Sequence, residues 1–203
     1  MSHYFVTPTT PAESHLVSTT IWGREYRLLS APGVFSAHRL DPGTTVLARL
    51  TTPPLDRPAR LLDLGCGFGP IAIALATACP QAEVDAIDVN QRAVELTRQN
   101  AERYSLTSLT ALSPDDVPSD RRYDEIWSNP PIRIGKPALH ALLLNWFARL
   151  TPGGSATLVV AKNLGADSLQ AWLTNQGWPT ERLGSAKGFR VLRSDRPVPD
   201  NTR

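Results

Sequence analysis

The glycine-rich stretch at residues 61–70, LLDLGCGFGP, limits the possible folds of this chain more than any other part of it. An apolar run ends at Asp63, three glycines follow at alternate positions, and an apolar helical pattern begins directly afterwards. This order predicts a strand, a tight turn and a helix start. Glycine accepts backbone angles closed to other residues and lets a ligand approach the main chain, so the turn is typical of a nucleotide-like site. A glycine-rich turn without a ligand is the alternative.

The spacing of Gly65, Gly67 and Gly69 narrows the class of ligand. A dinucleotide-binding turn has the pattern G-x-G-x-x-G, and here the third glycine comes one residue earlier. The spacing therefore argues against a nicotinamide or flavin site.

Length and charge fit a single domain without a strong electrostatic signature. The chain has 203 residues and a formal net charge of +2, which is compatible with a polyanionic partner but does not require one. No apolar run reaches the roughly 18 residues of a membrane helix, and the first residues lack the basic start and apolar core of a secretion signal. We therefore expect a cytoplasmic protein.

The cysteines and histidines predict neither a disulfide nor a metal site. Cys66 and Cys79 flank one predicted helix and lie too far apart along it to be bridged, so both are expected as reduced thiols. The histidines are scattered, and no Cys/His cluster has the spacing of metal ligands.

Residues 1–55 are predicted to form a short β-rich extension and a first helix, both within the same domain as the rest. The segments 21–30 and 33–36 have the pattern of short strands around turns. Asp41 before Pro42 matches an acidic N-cap followed by a proline in the first helical turn.

Residues 56–196 are predicted to form the core, followed by a tail at 197–203. Strand-like and helical segments alternate here, which predicts a mostly parallel α/β sheet of about seven strands with helices on both faces and a C-terminal antiparallel hairpin. Ligands bind such sheets at the carboxyl ends of the strands. The predicted strands are 60–64, 83–87, 108–112, 123–128, 155–161, 181–184 and 188–193, and the predicted helices are 70–79, 91–103, 137–150 and 166–176.

Two unusual segments fall at strand ends. Asp88 ends the second core strand about twenty residues after the glycines, where a carboxylate can accept both hydroxyl hydrogens of a ribose; the alternative is an exposed acid that caps the next helix. The fourth core strand ends in SNPPI, residues 128–132. Its prolines remove two amide donors, which leaves carbonyl groups and the Asn129 amide free to face a ligand. A plain strand-ending turn is the alternative.

Together these segments resemble the motifs of class I S-adenosylmethionine-dependent methyltransferases, over nearly the whole chain. More narrowly, GVFSAHRLDPGT, DLGCGFGPIAIALA, SNPPIRIGK and GFRVLRS are similar to the "methyltransferase small" family. That family contains small-subunit ribosomal RNA guanine-N2 methyltransferases and compact archaeal relatives. The resemblance implies a Rossmann-like fold and a catalytic core, at 56–196, that binds S-adenosylmethionine.

The resemblance also implies the cofactor contacts. Asp63 and the glycine turn would line the methionine part, Asp88 would hold the ribose, and Val89 would pack on the adenine. Where the family usually has an acidic residue for the adenine amino group, this chain has Ser113, which leaves that contact open. The implied cofactor-binding residues are Asp63, Gly65, Cys66, Gly67, Gly69, Asp88, Val89, Ser113, Asn129 and Thr44.

Asp41, Gly43 and Thr44 match the family's D-x-G-T pattern. We interpret them as a helix start that closes over the methionine end of the cofactor. A bare capping role is the alternative.

The acceptor end is predicted from residues 129–132. Methyl transfer to an exocyclic amine is an in-line displacement, so the enzyme must orient the amine lone pair. Asn129 Oδ1 and the Pro130 carbonyl are acceptors suited to that amine and to the positive charge that develops on it. The acceptor base is expected to be unpaired or flipped out of a duplex. The predicted catalytic residues are Asn129, Pro130, Pro131 and Ile132.

Ile132 bears on the choice of substrate. Relatives that act on adenine N6 or on protein glutamine resemble one another in an aromatic residue, usually tyrosine, at this position. Compact archaeal members of the family carry isoleucine, whereas bacterial ribosomal members tend to carry phenylalanine. The resemblance thus favours guanine N2 and leaves the other acceptors open. Phe35 could supply a stacking face instead, and a core phenylalanine is the alternative.

Basic residues near the predicted site would contact RNA. Arg133 and Lys136 directly follow the proline segment, and Arg24, Arg39 and Lys162 would extend a track for phosphates. Solvated surface charge is the alternative for each of them.

The sequence therefore favours a methyltransferase that acts on guanine N2 in 16S ribosomal RNA, with ribosomal RNA or the small ribosomal subunit as its partner. The alternatives are adenine N6, transfer RNA, protein glutamine or a small molecule as the acceptor. From a different class, a catalytically silent RNA-binding protein with the same fold stays open.

Overall fold

The computed structural model describes residues 13–198. It begins with a β-hairpin, in which β1 (His15–Ile21) pairs antiparallel with β2 (Arg24–Ser30). Trp22 and Gly23, with φ values of 48° and 77°, form the two-residue turn between them, as a type I′ hairpin requires. Residues 1–12 and most of the predicted tail at 197–203 lie outside the described residues.

The prediction of a strand at residues 33–36 is wrong. This segment belongs to an irregular connection between β2 and the first helix. Gly33 and Ser36 have φ values of 90° and 55°, which no extended strand accommodates. The connection instead brings residue 35 to the carboxyl edge of the main sheet.

The main sheet has seven strands in the order β5-β4-β3-β6-β7-β9-β8. β3, β4, β5, β6 and β7 pair in parallel, while β9 is antiparallel to both of its neighbours. The predicted mostly parallel sheet with a C-terminal hairpin is therefore confirmed. The strands are β3 (Arg60–Leu64), β4 (Glu83–Ile87), β5 (Leu109–Leu112), β6 (Tyr123–Ser128), β7 (Leu150–Ala161), β8 (Thr180–Ala186) and β9 (Phe189–Asp195).

Helices cover both faces of this sheet. Adjacent residues on a strand point to opposite faces, and in β3 Leu61 and Leu62 belong to two separate apolar clusters. The first cluster includes the N-terminal hairpin and the first three helices, and the second includes the last two. The helices are α1 (Pro42–Leu50), α2 (Pro70–Ala78), α3 (Gln91–Arg103), α4 (Lys136–Phe147) and α5 (Ala166–Asn175).

β7 is longer than predicted. Pro152, Gly153 and Gly154 are typical turn residues, yet the strand already begins at Leu150, which pairs with Tyr123. The register shifts between Tyr123 and residue 125, so the glycines lie in an irregular part of the strand rather than before it. Because β7 starts early, α4 ends at 147 instead of the predicted 150.

Neither a membrane-crossing helix nor a metal cluster is found in the described part of the chain. No helix within residues 13–198 is long and apolar enough to span a bilayer. Over the same residues, no three His, Cys, Asp or Glu side chains are placed to hold a metal ion. Cys66 and Cys79 are buried free thiols.

Candidate active site

A cavity of about 270 Å³ lies at the carboxyl ends of β3, β4 and β6, where the strand order reverses and ligands of open α/β sheets bind. Its wall is mostly apolar with a few polar groups, as is usual for small-molecule sites. The residues predicted from sequence that line it are Phe35, Asp41, Gly65, Asp88, Val89, Asn129, Pro130, Pro131, Ile132 and Arg133.

Two of the three glycines of the turn, Gly65 and Gly69, have different roles. Gly65, Gly67 and Gly69 have φ values of 78°, 57° and 90°. A Cβ atom on Gly65 would meet nothing within 4 Å, and Gly65 lines the cavity, so its main chain is open to a ligand. A Cβ atom on Gly69 would lie 2.9 Å from the side chain of Thr97. Gly69 is thus required for the packing of α2 against α3.

Cys66 lies behind the turn rather than on the cavity wall. Its Sγ atom is 3.5 Å from Thr97 Oγ1, and that hydroxyl donates a hydrogen bond of 3.0 Å to the Gly67 carbonyl. Burial raises the pKa of the Cys66 thiol well above its ordinary value. The side chain is therefore a neutral filler that supports the loop.

Asp63 is a buried carboxyl group with one unpartnered oxygen. The side chain is 0% exposed, and Oδ2 accepts a hydrogen bond of 2.9 Å from the Ala72 amide. Oδ1 is buried and has no hydrogen-bond partner among residues 13–198. Burial, with a smaller contribution from the charge of Asp88, raises the pKa of Asp63 to about 8. An orphaned carboxyl oxygen of this kind favours a donor or cation from a ligand.

Asp88 is held by the main chain in a position to bind hydroxyl groups. Its Oδ2 accepts a hydrogen bond of 2.9 Å from the Gly67 amide, and Oδ1 accepts one of 2.9 Å from the Asn90 amide. Each carboxylate oxygen has a second lone pair. Burial raises the pKa of Asp88, and the amide hydrogen bonds oppose this shift. The side-chain cap of α3 is Asn90, which accepts from the Arg92 amide at 3.0 Å.

An apolar surface beside Asp88 suits a planar ring. Val89 is 54% exposed, and it lines the cavity together with Ile87 and Pro114. Ser113 is not on this wall, and its hydroxyl is hydrogen-bonded to the Gln91 side chain. The structure therefore places Pro114, rather than Ser113, next to the cavity.

Some polar groups of the proline segment after β6 already have hydrogen-bond partners, although the sequence predicts that they are free to face a ligand. The Asn129 amide nitrogen donates hydrogen bonds of 2.8 Å to Asp41 Oδ1 and 3.1 Å to Thr44 Oγ1. The Pro130 carbonyl accepts one of 2.8 Å from the Ile132 amide. Pro131, at φ −75° and ψ 71°, forms the inverse γ-turn that makes this bond. The atoms that keep acceptor capacity are Asn129 Oδ1 and the second lone pair of the Pro130 oxygen.

Thr44 and Lys136 lie beside the cavity rather than on its wall. Thr44 is 4% exposed, and its hydroxyl oxygen accepts from Asn129. Lys136 begins α4 and lines a smaller cavity of about 160 Å³. The two cavities share Ile132 and Leu164.

The other basic residues are distributed unevenly around the cavity. Arg133 lies on its wall, and Lys162 directly follows Ala161, which also lies there. Arg39 is exposed on the connection before α1. Arg24 lies at the turn end of the β1–β2 hairpin, and the connection that carries residue 35 to the cavity leaves from the other end. Its guanidinium lies 5.8 Å from the centre of the Tyr26 ring. The predicted track is thus not continuous through Arg24.

Phe189 is a cavity residue that sequence reasoning missed, although its segment GFRVLRS was singled out. It begins the antiparallel strand β9, and the register opposite Ala161 puts it at the carboxyl edge of the parallel strands. A Cβ atom on Gly43 would lie 3.0 Å from its ring. The predicted antiparallel hairpin was the one sequence signal that could have placed Phe189 at this edge of the sheet. Other wall residues that were missed are Leu142, Trp146, Ala161 and Leu164.

The strand order and the position of the glycine turn define a class I S-adenosylmethionine-dependent methyltransferase. Solved methyltransferases share this fold, including one from Pyrococcus furiosus with a TM-score of 0.61 at 19% identity over 76% of this chain and 81% of that one. The family model of the methyltransferase small domain matches residues 25–193. The chain belongs to this family, as the sequence motifs predict.

Three proteins illustrate the range of relatives. Bacillus subtilis YbxB, an uncharacterized protein, is 30% identical over 195 residues, which cover 95% of this chain and 96% of the relative. Ribosomal RNA small subunit methyltransferase C of Hahella chejuensis is 33% identical over 174 residues, 84% of this chain and 49% of the relative. The T. thermophilus 16S rRNA N2 methyltransferase RsmC, solved with AdoMet and guanosine, has a TM-score of 0.79 at 29% identity, over 93% of this chain and 52% of that one. The chain thus spans about half the length of the last two proteins.

S-adenosylmethionine is the cofactor, and the residues at the cavity fit it. Gly65 offers an open main chain, and Asp88 keeps lone pairs for the hydroxyl groups of a ribose. Asp63 is fully buried with Oδ1 unpartnered, and it does not line the cavity wall itself. Val89 offers an apolar face for the adenine ring. When bound, the cofactor supplies an activated methyl group.

Proposed function

We propose that this chain methylates the exocyclic N2 of a guanine in 16S ribosomal RNA. The observation that carries the proposal is the segment 129–132, which places two hydrogen-bond acceptors and an apolar side chain on the wall of the cofactor cavity. The relatives that act on ribosomal RNA support the choice of acceptor.

The acceptors suit an amine. Asn129 Oδ1 and the Pro130 carbonyl oxygen can each accept a hydrogen from the exocyclic N2, which directs its remaining lone pair to the methyl group. As the new bond forms, positive charge develops on nitrogen. Both oxygens carry partial negative charge and stabilise that charge in a cavity of low polarity.

The wall around these acceptors suits a purine ring. Ile132 is half-buried and offers only apolar contact. Phe35, which lines the same cavity and is 47% exposed, is available to stack on a base. The alternative of a core phenylalanine at this position is therefore wrong. A base inside a duplex could not enter, so the proposed substrate is an unpaired or flipped guanine.

Basic side chains at the cavity mouth favour RNA over a free nucleoside. Arg133 lines the main cavity, and Lys136 lines the adjoining one. Their charges would neutralise phosphates on either side of the target nucleotide. Ribosomal RNA or the small ribosomal subunit is the proposed partner.

Nucleoside mass spectrometry of RNA from a strain that lacks the gene tests the proposal. We expect 16S ribosomal RNA from that strain to lack one N2-methylguanosine. Complementation with the wild-type gene should restore it, and the Asn129→Ala variant, which keeps the glycine turn and Asp88, should not. Loss of a methylated adenosine instead would refute the assignment to guanine, and loss of a methylated guanosine from transfer RNA would refute the assignment to ribosomal RNA.

A further inference from the structure

We propose that Asp41 and Thr44 are positioning residues that hold the Asn129 side chain with Oδ1 turned toward the methyl acceptor. The inference concerns the same site and rests on the proposed amine methylation. It assigns a role to the D-x-G-T segment of the sequence, which lies far from the proline segment along the chain but touches it in the fold.

The hydrogen bonds determine which atom of the amide faces which neighbour. A carboxylate can only accept hydrogen bonds, so the atom of Asn129 that lies 2.8 Å from Asp41 Oδ1 must be the nitrogen. The second amide hydrogen reaches Thr44 Oγ1 at 3.1 Å. A half-turn of the amide would bring its oxygen against the carboxylate and lose both bonds. Oδ1 of Asn129 is therefore kept on the side away from α1.

The carboxylate itself is held rigidly. Asp41 is the N-cap of α1, and its Oδ1 accepts from the Gly43 amide at 2.7 Å and the Thr44 amide at 3.4 Å. A Cβ atom on Gly43 would lie 2.8 Å from the same oxygen, so a larger residue there would displace it. Asp41 also lines the cavity. In D-x-G-T, Asp41 thus supplies one acceptor for the Asn129 amide, and Gly43 leaves space for that carboxylate. Thr44 supplies the second acceptor.

Helix capping alone does not explain this arrangement. A cap needs only the Asp41 side chain and the main-chain amides of the first turn. The Thr44 hydroxyl takes no part in it, yet this buried hydroxyl is one of the two acceptors of the Asn129 amide. Thr44→Val therefore removes a contact to Asn129 and leaves the cap in place.

Thr45→Val is the matched control. Thr45 is the next residue of α1, is exposed, and donates from its hydroxyl to the Asp41 carbonyl at 3.1 Å. We expect Thr44→Val to lower kcat about fivefold, as the loss of one hydrogen bond implies, with the KM for S-adenosylmethionine changed less than about twofold. Thr45→Val should leave both constants unchanged.

A double-mutant cycle tests Asp41. Asp41→Ser keeps a residue that caps helices well but is too short to reach Asn129, and we expect kcat to fall at least about tenfold because the lost hydrogen bond is to a charged group. In the Asn129→Ala background the same change should cause no further loss, because the group that it positions is gone. Equal effects of Asp41→Ser in both backgrounds would refute the positioning role.

A measurement without catalysis separates this inference from the proposed function. In protein labelled with 15N-asparagine, the Asn129 side-chain amide signal is assigned by its absence in Asn129→Ala. Thr44→Val and Asp41→Ser should shift that signal, and Thr45→Val should not. Unshifted signals would overturn the inference even if guanine is methylated, whereas shifted signals with a different methylated product would overturn only the proposed function.

Discussion

Replacement of Asp63 by asparagine should remove a large pH dependence from the stability of the protein. Asp63 is fully buried, and burial raises its pKa from an ordinary value of 3.8 to about 8. The folded state therefore keeps a proton that the unfolded state releases. Stability is highest below about pH 4 with respect to this group and declines as the pH rises, until the folded state also ionises near pH 8.

The size of the effect follows from the same values. One pKa unit corresponds to about 1.4 kcal/mol, so the rise from 3.8 to about 8 corresponds to on the order of 6 kcal/mol lost between about pH 4 and pH 8. Asparagine keeps an acceptor for the Ala72 amide and carries no charge. Its buried NH2 group costs about 1–3 kcal/mol at every pH. The variant should thus be less stable than the wild type in acid and more stable at pH 9.

Urea unfolding of cofactor-free protein, followed by circular dichroism from pH 4 to pH 9, measures this difference. Other groups titrate in both proteins, so the difference between the two profiles isolates Asp63. Asp115→Asn, at an exposed carboxyl group, is the control and should track the wild type. Parallel profiles of Asp63→Asn and the wild type would refute the assigned pKa and the burial argument behind it.

Three further changes test the cofactor end of the cavity, the packing of the glycine turn and the acceptor end of the cavity. Asp88→Asn should raise the Kd for S-adenosylmethionine about 10- to 100-fold, because an amide nitrogen would face one of the two main-chain donors that hold the carboxylate. Calorimetry measures this Kd, and a change below threefold would contradict the assignment of Asp88 to the ribose. Gly69→Ala should destabilise the protein more than Gly177→Ala, since both have positive φ but only the first would place a Cβ atom 2.9 Å from Thr97; equal losses in urea unfolding would refute the packing argument. Phe35→Ala should raise the KM for RNA and leave cofactor affinity within about twofold, because the ring lines the cavity without taking part in the core. An unchanged KM for RNA would show that Phe35 does not contact the methyl acceptor.

The sequence predicts the parts of this site that lie at the ends of parallel strands. Gly65, Asp88 and Asn129 follow three different strands, and the alternation of strands and helices is enough to bring such ends to one edge. Each also has a local signal: a glycine turn, an acid at a set distance, and a double proline. These signals can be read from the order of segments along the chain and do not depend on side-chain packing.

Contacts between distant segments could not be predicted in the same way. Nothing near Asp41 or Thr44 indicates that they hold Asn129, because capping already accounts for an aspartate before a proline. Phe189 reaches the cavity only because β9 runs against its neighbours. The segment 33–36 has strand-like residues, but positive φ at Gly33 and Ser36 rules out a strand, and Phe35 lines the cavity. Tertiary packing determines where all of these residues lie, and the local sequence pattern around each of them contains no signal for that packing.

The transfer reaction itself tests the central claim most directly. Purified protein is incubated with S-adenosylmethionine carrying a labelled methyl group and with unmethylated 16S ribosomal RNA or small ribosomal subunits, and the RNA is digested to nucleosides and separated by mass. With the wild type we predict label in N2-methylguanosine and in no other nucleoside, at no more than about one labelled methyl group per RNA molecule, and little or none with Asn129→Ala. Label in any other nucleoside, or none in RNA despite measurable cofactor binding, would contradict the account.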